Sequence, residues 1–282
     1  MESGTATRHL IIDRDSFGAA FGREAIAVKH DLLDSPLLTL DALGELAEAL
    51  PPDEVEHNVG DVPDIVAGGE GVERSELPPG EIARTIETNG LWMVLKRIES
   101  VPAYKRLLDE TLDEVEPFVA DREGGMTQRE GFVFLSAPGS TTPSHTDPEH
   151  NILLQVRGWK EMTVGGFPDE RTRQLELEDH TSGGHRNIEW KPVDPHTFRM
   201  EPGDAVYVPP HAPHMVKNGD GASVSLSITW RTPEIERVAR VSSINARMRR
   251  LGLDPKSPGS RPGADKLKAG VSKTIGRIRR SL

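Results

Sequence analysis

The stretch Asn151-Ile-Leu-Leu-Gln-Val-Arg-Gly-Trp-Lys-Glu-Met-Thr-Val164 sets the texture of the chain's second half. Two runs of β-branched and apolar residues flank Arg157-Gly158, a turn-forming pair, and this pattern predicts a hairpin. A two-residue turn there pairs Gln155 with Lys160, Leu153 with Met162 and Asn151 with Val164. Asn151, Gln155 and Lys160 then share one face, with Ile152, Leu154, Val156 and Trp159 on the other. A lysine on an inward face is costly unless it meets an anion.

Working outward, short strands are predicted at Phe132–Ser136, Thr197–Met200, Ala205–Pro209, His214–Val216 and Ser223–Arg231. Lys217-Asn-Gly-Asp-Gly221 is a strong turn signal between the last two. Many short strands with Pro/Gly turns describe a mostly β protein with flanking helices, built on a jelly-roll barrel. Gly165 to His196 reads as a polar loop at the barrel mouth. Upstream, residues 26–29 suggest a strand, and Leu40, Leu43, Leu46 and Leu50 a helix capped by Thr39 and stopped by Pro51-Pro52. Residues 52–80 read as loop, Trp92–Ile98 as a strand, and Tyr104 to Phe118 as one amphipathic helix. Val241, Ile244, Met248 and Leu251 offer a helical seam for the barrel or a second subunit, the basis for expecting a homodimer. Lys256–Gly263 has a linker's composition. Leu267, Val271, Ile275, Ile278 and Leu282 mark one face of a basic helix. The expected division is residues 1–120 as N-terminal α/β elements, 121–233 as barrel, 234–252 as C-terminal helix and 253–282 as basic tail.

Composition narrows the chemistry. The 282 residues include no cysteine, so disulfides and thiolate metal sites are excluded. No apolar run reaches membrane-spanning length. Met1 to Arg8 lacks a signal-peptide core, so a cytoplasmic location is the default expectation. Net charge is −11, yet residues 256–282 carry eight Lys and Arg against Asp265, or +7, which leaves −18 for the rest. An acidic body argues against nucleic-acid binding by the main domain. The basic tail is either a solubilising end or a site for an acidic partner or anionic surface.

Pro143-Ser-His145-Thr-Asp147-Pro148 lies at the end of a predicted strand, and 66 residues separate Asp147 from His214. Two imidazoles and one carboxylate form the facial triad of non-haem Fe(II) sites, which leaves three positions open. Pro209-Pro-His211-Ala-Pro-His214 offers two histidines for the distal place; His214 enters the next strand, while His211 lies among prolines. His150, His180, His185 and His196 read as solvent-exposed or satisfied polar residues.

With these residues in view, a family resemblance emerges. Thr142-Pro-Ser-His-Thr-Asp-Pro-Glu-His-Asn151, then Leu153-Leu-Gln-Val-Arg-Gly-Trp-Lys160 and Gly203-Asp-Ala-Val-Tyr-Val-Pro-Pro210 leading into His214, resemble the JmjC/cupin-like Fe(II)/2-oxoglutarate oxygenases. The similarity is greatest to the branch of the asparaginyl hydroxylase that inhibits hypoxia-inducible factor. It covers about residues 131–231. It implies a double-stranded β-helix with helical N- and C-terminal extensions, and hydroxylation of a protein side chain or small molecule. By motif position, His145, Asp147 and His214 would bind Fe(II), Lys160 and Thr142 the distal carboxylate of 2-oxoglutarate, and Asn151 would line the cosubstrate pocket. Leu226-Ser-Ile-Thr-Trp230 lacks the asparagine that this branch places there, so Ser227 or Thr229 would substitute. The competing readings are a catalytically inactive metal-binding cupin acting as sensor or scaffold, and a metal-dependent isomerase or lyase. Neither explains Lys160.

Overall fold

The computed structural model describes residues 8–59, 63–66 and 75–280, the last six by backbone alone. Met1–Thr7, much of the expected 52–80 loop, the side chains of Ile275 and Ile278, and Leu282 lie outside that set. The N-terminal third contains β1 (Leu10–Ile11), α1 (Arg14–Ala20), β2 (Ile26–His30), α2 (Leu40–Ala49), β3 (Val55–Val59), α3 (Pro79–Arg84), β4 (Leu91–Leu95), α4 (Pro102–Asp113) and α5 (Glu116–Glu123). Then follow β5 (Gln128–Ser136), β6 (Thr141–His145), β7 (His150–Arg157), β8 (Lys160–Gly166), α6 (Glu170–His180), β9 (Val193–Met200), β10 (Asp204–Val208), β11 (His214–Asn218) and β12 (Ser223–Arg231). Helices α7 (Pro233–Arg250) and α8 (Pro262–Arg280) complete the described chain.

Two sheets face each other. The larger runs β1-β2-β10-β7-β12-β5-β4-β3 and the smaller β6-β11-β8-β9. From β5 to β12 the chain passes back and forth between them, which is jelly-roll connectivity. This corrects the expected hairpin. Strand β7 sits between β10 and β12, and β8 sits between β11 and β9 in the opposite sheet. Arg157-Gly158 therefore carries the chain across the barrel. The second turn, Lys217 to Gly221, also crosses, from β11 to β12. The two crossings touch: Gly219 N–H donates to the Trp159 carbonyl at 2.9 Å. A Cβ on Gly158, whose φ is 66°, would lie 2.4 Å from the Ala222 carbonyl oxygen, so this corner needs glycine. Sequence alone cannot separate a turn that folds a strand back from one that hands it to another sheet.

Packing explains the composition of the strands. On β12, Val224, Leu226, Ile228 and Trp230 join the main core beneath the N-terminal helices. Between the sheets lies a smaller apolar layer of Leu153, Met162, Val164, Met200, Val206, Val208 and Val216. Both faces of β12 are covered, so Ser223, Ser225, Ser227 and Thr229 are buried too.

The N-terminal region is more tightly integrated than its sequence suggested. Strands β1 and β2 extend the large sheet on one side, β4 and β3 on the other. Strand β3, Val-Glu-His-Asn-Val, escaped notice because an edge strand needs no apolar alternation. Thr39 caps α2 as expected, accepting from Ala42 N–H at 3.2 Å. The expected helix from Tyr104 to Phe118 is two helices, since Pro117 suits the first turn of a new helix and not the interior of an old one. In the mouth insert, expected as loop, Asp169 caps α6 by accepting from Thr172 N–H at 2.8 Å. Few apolar residues mark that helix; Leu177 anchors it, and Glu178 pairs with Arg249 of α7 at 2.7 Å. Helix α7 buries Val241, Ser242, Asn245 and Ala246 against α6 and α8, while Leu251 of the expected seam is 80% exposed. No helix among the described residues is long and apolar enough to cross a membrane.

Candidate metal centre

The site forms where β6 and β11 pair. His145 lies opposite His214, but the next register pair is Thr142 with Val216, so three steps on β6 match two on β11. That extra residue is a β-bulge. In a regular strand, Thr142 and His145 would leave opposite faces. The bulge puts both on the side of His214 and Val216, toward the space between the sheets. Strand β6 ends at His145, so Asp147 reaches the same point from the following turn and not by strand alternation.

Each histidine is locked by a backbone carbonyl two residues earlier. His145 Nδ1 donates to the Pro143 carbonyl and His214 Nδ1 to the Ala212 carbonyl, both at 2.8 Å. A carbonyl only accepts, so each proton resides on Nδ1 and each Nε2 presents a lone pair. Asp147 Oδ2 lies 3.6 Å from His145 Nε2 and 3.5 Å from His214 Nε2. These separations exceed ordinary hydrogen bonds. Three electron-pair donors within 4.8 Å of one another thus surround a gap that no proton closes, an unfavourable arrangement without a cation. Burial, then the neighbouring His214, lowers the pKa of His145, which favours the neutral, ligand-ready ring. Burial pushes the Asp147 carboxyl up, but Arg186 and His145 outweigh it and hold the group well below the usual range. The donor set, two neutral nitrogens and one anionic oxygen, fits a divalent ion such as Fe(II).

Arg186 was not singled out in the sequence. Its Nη1 donates to Asp147 Oδ1 at 2.6 Å, leaving Oδ2 to face the histidines. The insert delivers it: Thr146 N–H donates to the Arg186 carbonyl and Ile188 N–H to the Ser144 carbonyl, so residues 186–188 run beside the end of β6. No spacing rule marks an arginine 39 residues beyond its carboxylate.

The other expected site residues lie on two facing walls. Asn151 and Gln155 occupy the inner face of the large sheet, where Asn151 Oδ1 accepts from Ser227 Oγ at 2.9 Å. Thr229 Oγ1 donates to the Glu130 carbonyl at 3.1 Å, so Ser227 is the hydroxyl engaged with Asn151. Lys160, 3% exposed, opens β8 on the facing sheet, flanked in register by Met200 and Asn218. The hairpin reading placed Lys160 and Gln155 on one face of one sheet; they lie instead on the inner faces of opposed sheets. Burial alone pushes the Lys160 ammonium down to about 7. His211 stands apart from the triad, with its ring centroid 6.4 Å from that of His180. Its backbone, at φ 62°, donates to the Asp147 carbonyl at 2.6 Å. His150 is fully buried, bonded to Tyr207 and Glu123, a satisfied polar residue.

This fold and this site define a double-stranded β-helix of the metal-binding kind. Residues 118–238 match the family model of the JmjC domain. Over 109 residues it is 28% identical to Jumonji C domain-containing protein 5 of Drosophila melanogaster, covering 35% of this chain and 27% of the relative. Over 139 residues it is 26% identical to human HSPB1-associated protein 1, covering 44% and 28%. Among solved structures, the Escherichia coli ribosomal oxygenase YcfD in complex with cobalt and 2-oxoglutarate superposes with a TM-score of 0.52 at 18% identity, covering 91% of this chain and 62% of that one. The chain spans little more than a quarter of these curated relatives' length.

Proposed function

We propose that this chain is an Fe(II)- and 2-oxoglutarate-dependent oxygenase that hydroxylates a protein side chain. The observation that carries the reading is the pairing of a His145–Asp147–His214 donor set with a buried Lys160 that has no counter-anion among the described residues, on the inner walls of one barrel whose residues match the JmjC model. A ferrous ion held there would supply, with dioxygen as oxidant, the oxidative decarboxylation of 2-oxoglutarate coupled to substrate hydroxylation, one atom of the dioxygen entering succinate as carbon dioxide leaves and the other entering a substrate C–H bond. The chain's own part is positional. His145 and His214 contribute neutral nitrogens fixed by Pro143 and Ala212, and Asp147 contributes the single negative charge. Lys160, with Thr142 on the bulged strand, receives the distal carboxylate. Asn151 and Ser227 line the wall between, and the apolar layer of Leu153, Met162 and Val216 keeps water out. An intact donor set with a cation built for the cosubstrate disfavours the inactive-scaffold reading.

A protein substrate is supported by the name of the Escherichia coli neighbour, a ribosomal oxygenase. In this reading, residues 121–233 perform the chemistry and residues 1–120 select the substrate. The basic tail, with Leu267 and Val271 exposed on α8, would serve an acidic partner. Anaerobic addition of Fe(II) and 2-oxoglutarate should produce a weak visible charge-transfer band, and admission of air should yield succinate. Iron-loaded protein showing neither would overturn the assignment.

A further inference from the structure

Asn218 ends β11 and is 4% exposed. Its backbone N–H and its Nδ2 both donate to the Ser140 carbonyl, each at 2.9 Å. Because that carbonyl only accepts, the amide orientation is fixed and Oδ1 is the atom turned away from Ser140. That oxygen is buried and has no hydrogen-bond partner among the described residues. A buried acceptor without a donor is costly, which points to a donor brought within reach by movement of a neighbouring side chain. The residue directly opposite Asn218 is Lys160. Register partners on adjacent strands share a face, with Cβ atoms roughly 5 Å apart, and a lysine tip moves on a flexible four-carbon stem. Met200 is the partner on the other side, and the facing wall carries Asn151, Gln155, Ser223, Ser225 and Ser227, none titratable. Gln155 is already engaged: its Nε2 lies within hydrogen-bonding distance of the Arg157 and Gly158 carbonyls and of Ser223 Oγ, and its Oε1 accepts from Ser225 Oγ.

We infer that Asn218 is a positioning residue for the cosubstrate lysine, its Oδ1 accepting one N–H of the Lys160 ammonium so that the other two address a carboxylate. The inference rests on the oxygenase reading for the identity of that carboxylate. It explains both why the asparagine oxygen is left open and how an ammonium with three donors is satisfied by a ligand that binds only two of them. Asn218 also favours the charged lysine in a place where burial opposes it.

The test uses full-length protein and two measurements. In metal-free protein, the Lys160 titration is followed by 13Cε NMR, assigned with Lys160→Met, in wild type, Asn218→Leu and Asn218→Asp. Removing the acceptor should lower the midpoint and a carboxylate should raise it; a merely structural role would move both variants alike. In Co(II)-loaded protein, calorimetry should show Asn218→Leu binding 2-oxoglutarate about tenfold more weakly at neutral pH, with kcat at saturating cosubstrate retained in the iron form. Unmoved midpoints, or shifts of the same sign in both variants, would overturn the role of Asn218. Wild-type protein that binds no 2-oxoglutarate would instead overturn the oxygenase reading, and the NMR titration would still judge the Asn218–Lys160 contact.

Discussion

The mouth and the interior of the barrel treat charge in opposite ways. At the mouth, anions meet cations from the chain itself: Asp147 meets Arg186, and Glu149 meets Arg231. Inside, Lys160 is 3% exposed and burial acts on it unopposed. The difference marks which end is finished by the protein and which by something it binds. A buried unpaired charge is too costly to be a neutral feature of a fold.

Removing a partner at each end tests this contrast. The largest effect should come from Asp147→Ala, which deletes the only anionic donor; Fe(II) binding by calorimetry and succinate release should both fall below detection, and full activity would remove Asp147 from the site. Next, Arg186→Met should weaken Co(II) affinity by roughly tenfold or more, as loss of a group that orients a metal ligand does, while unchanged affinity would make the ion pair incidental. At the inner end, Lys160→Ala should raise the 2-oxoglutarate requirement about tenfold.

The sign of the pH dependence follows from the depressed lysine. Its unfolded value is 10.5 and its folded value about 7. The destabilisation it causes is therefore fully present below pH 7 and disappears as pH rises toward 10.5. Lys160→Met should accordingly stabilise metal-free protein at pH 6.5, by ~1–4 kcal/mol in chemical denaturation. Binding of a dicarboxylate should take up a proton above pH 7, so affinity should fall there by up to about tenfold per pH unit; a flat profile from pH 7 to 9 would contradict an isolated cation. The smallest effect separates two hydroxyls. Ser227→Ala should weaken cosubstrate binding more than Thr229→Ala, because Ser227 bonds to Asn151 and Thr229 to a backbone carbonyl.

Much of this architecture was legible because strand texture and ligand identity are local. The strands from Phe132 onward announce themselves by β-branched runs, and His145, Asp147 and His214 lie where strands end or begin. What was not legible depends on distant partners. Arg157-Gly158 looks the same whether it closes a hairpin or crosses a barrel. The inward placement of Lys160 was nonetheless reached, since facing walls and paired strands both present side chains to one interior. Edge strand β3 and helix α6 carry little apolar periodicity, because one borders a sheet and the other rests on its cap and on Leu177. Arg186 is placed by pairing of the insert with β6, a contact that no spacing encodes.

The added residue within β6 has a consequence for any attempt to re-engineer this chain. In the proposed function it brings together two tasks, gripping an ion and gripping an organic acid, which an unbroken strand of the same length would send to opposite sides of the wall. Deleting Ser144 would not part them: Thr142 would then stand two positions before His145, and ordinary alternation would keep both on the inner side. What the deletion removes is the spacing between His145 and the Pro143 carbonyl that fixes its ring, so the expected product is a protein with weaker metal capture and an unrotated Thr142.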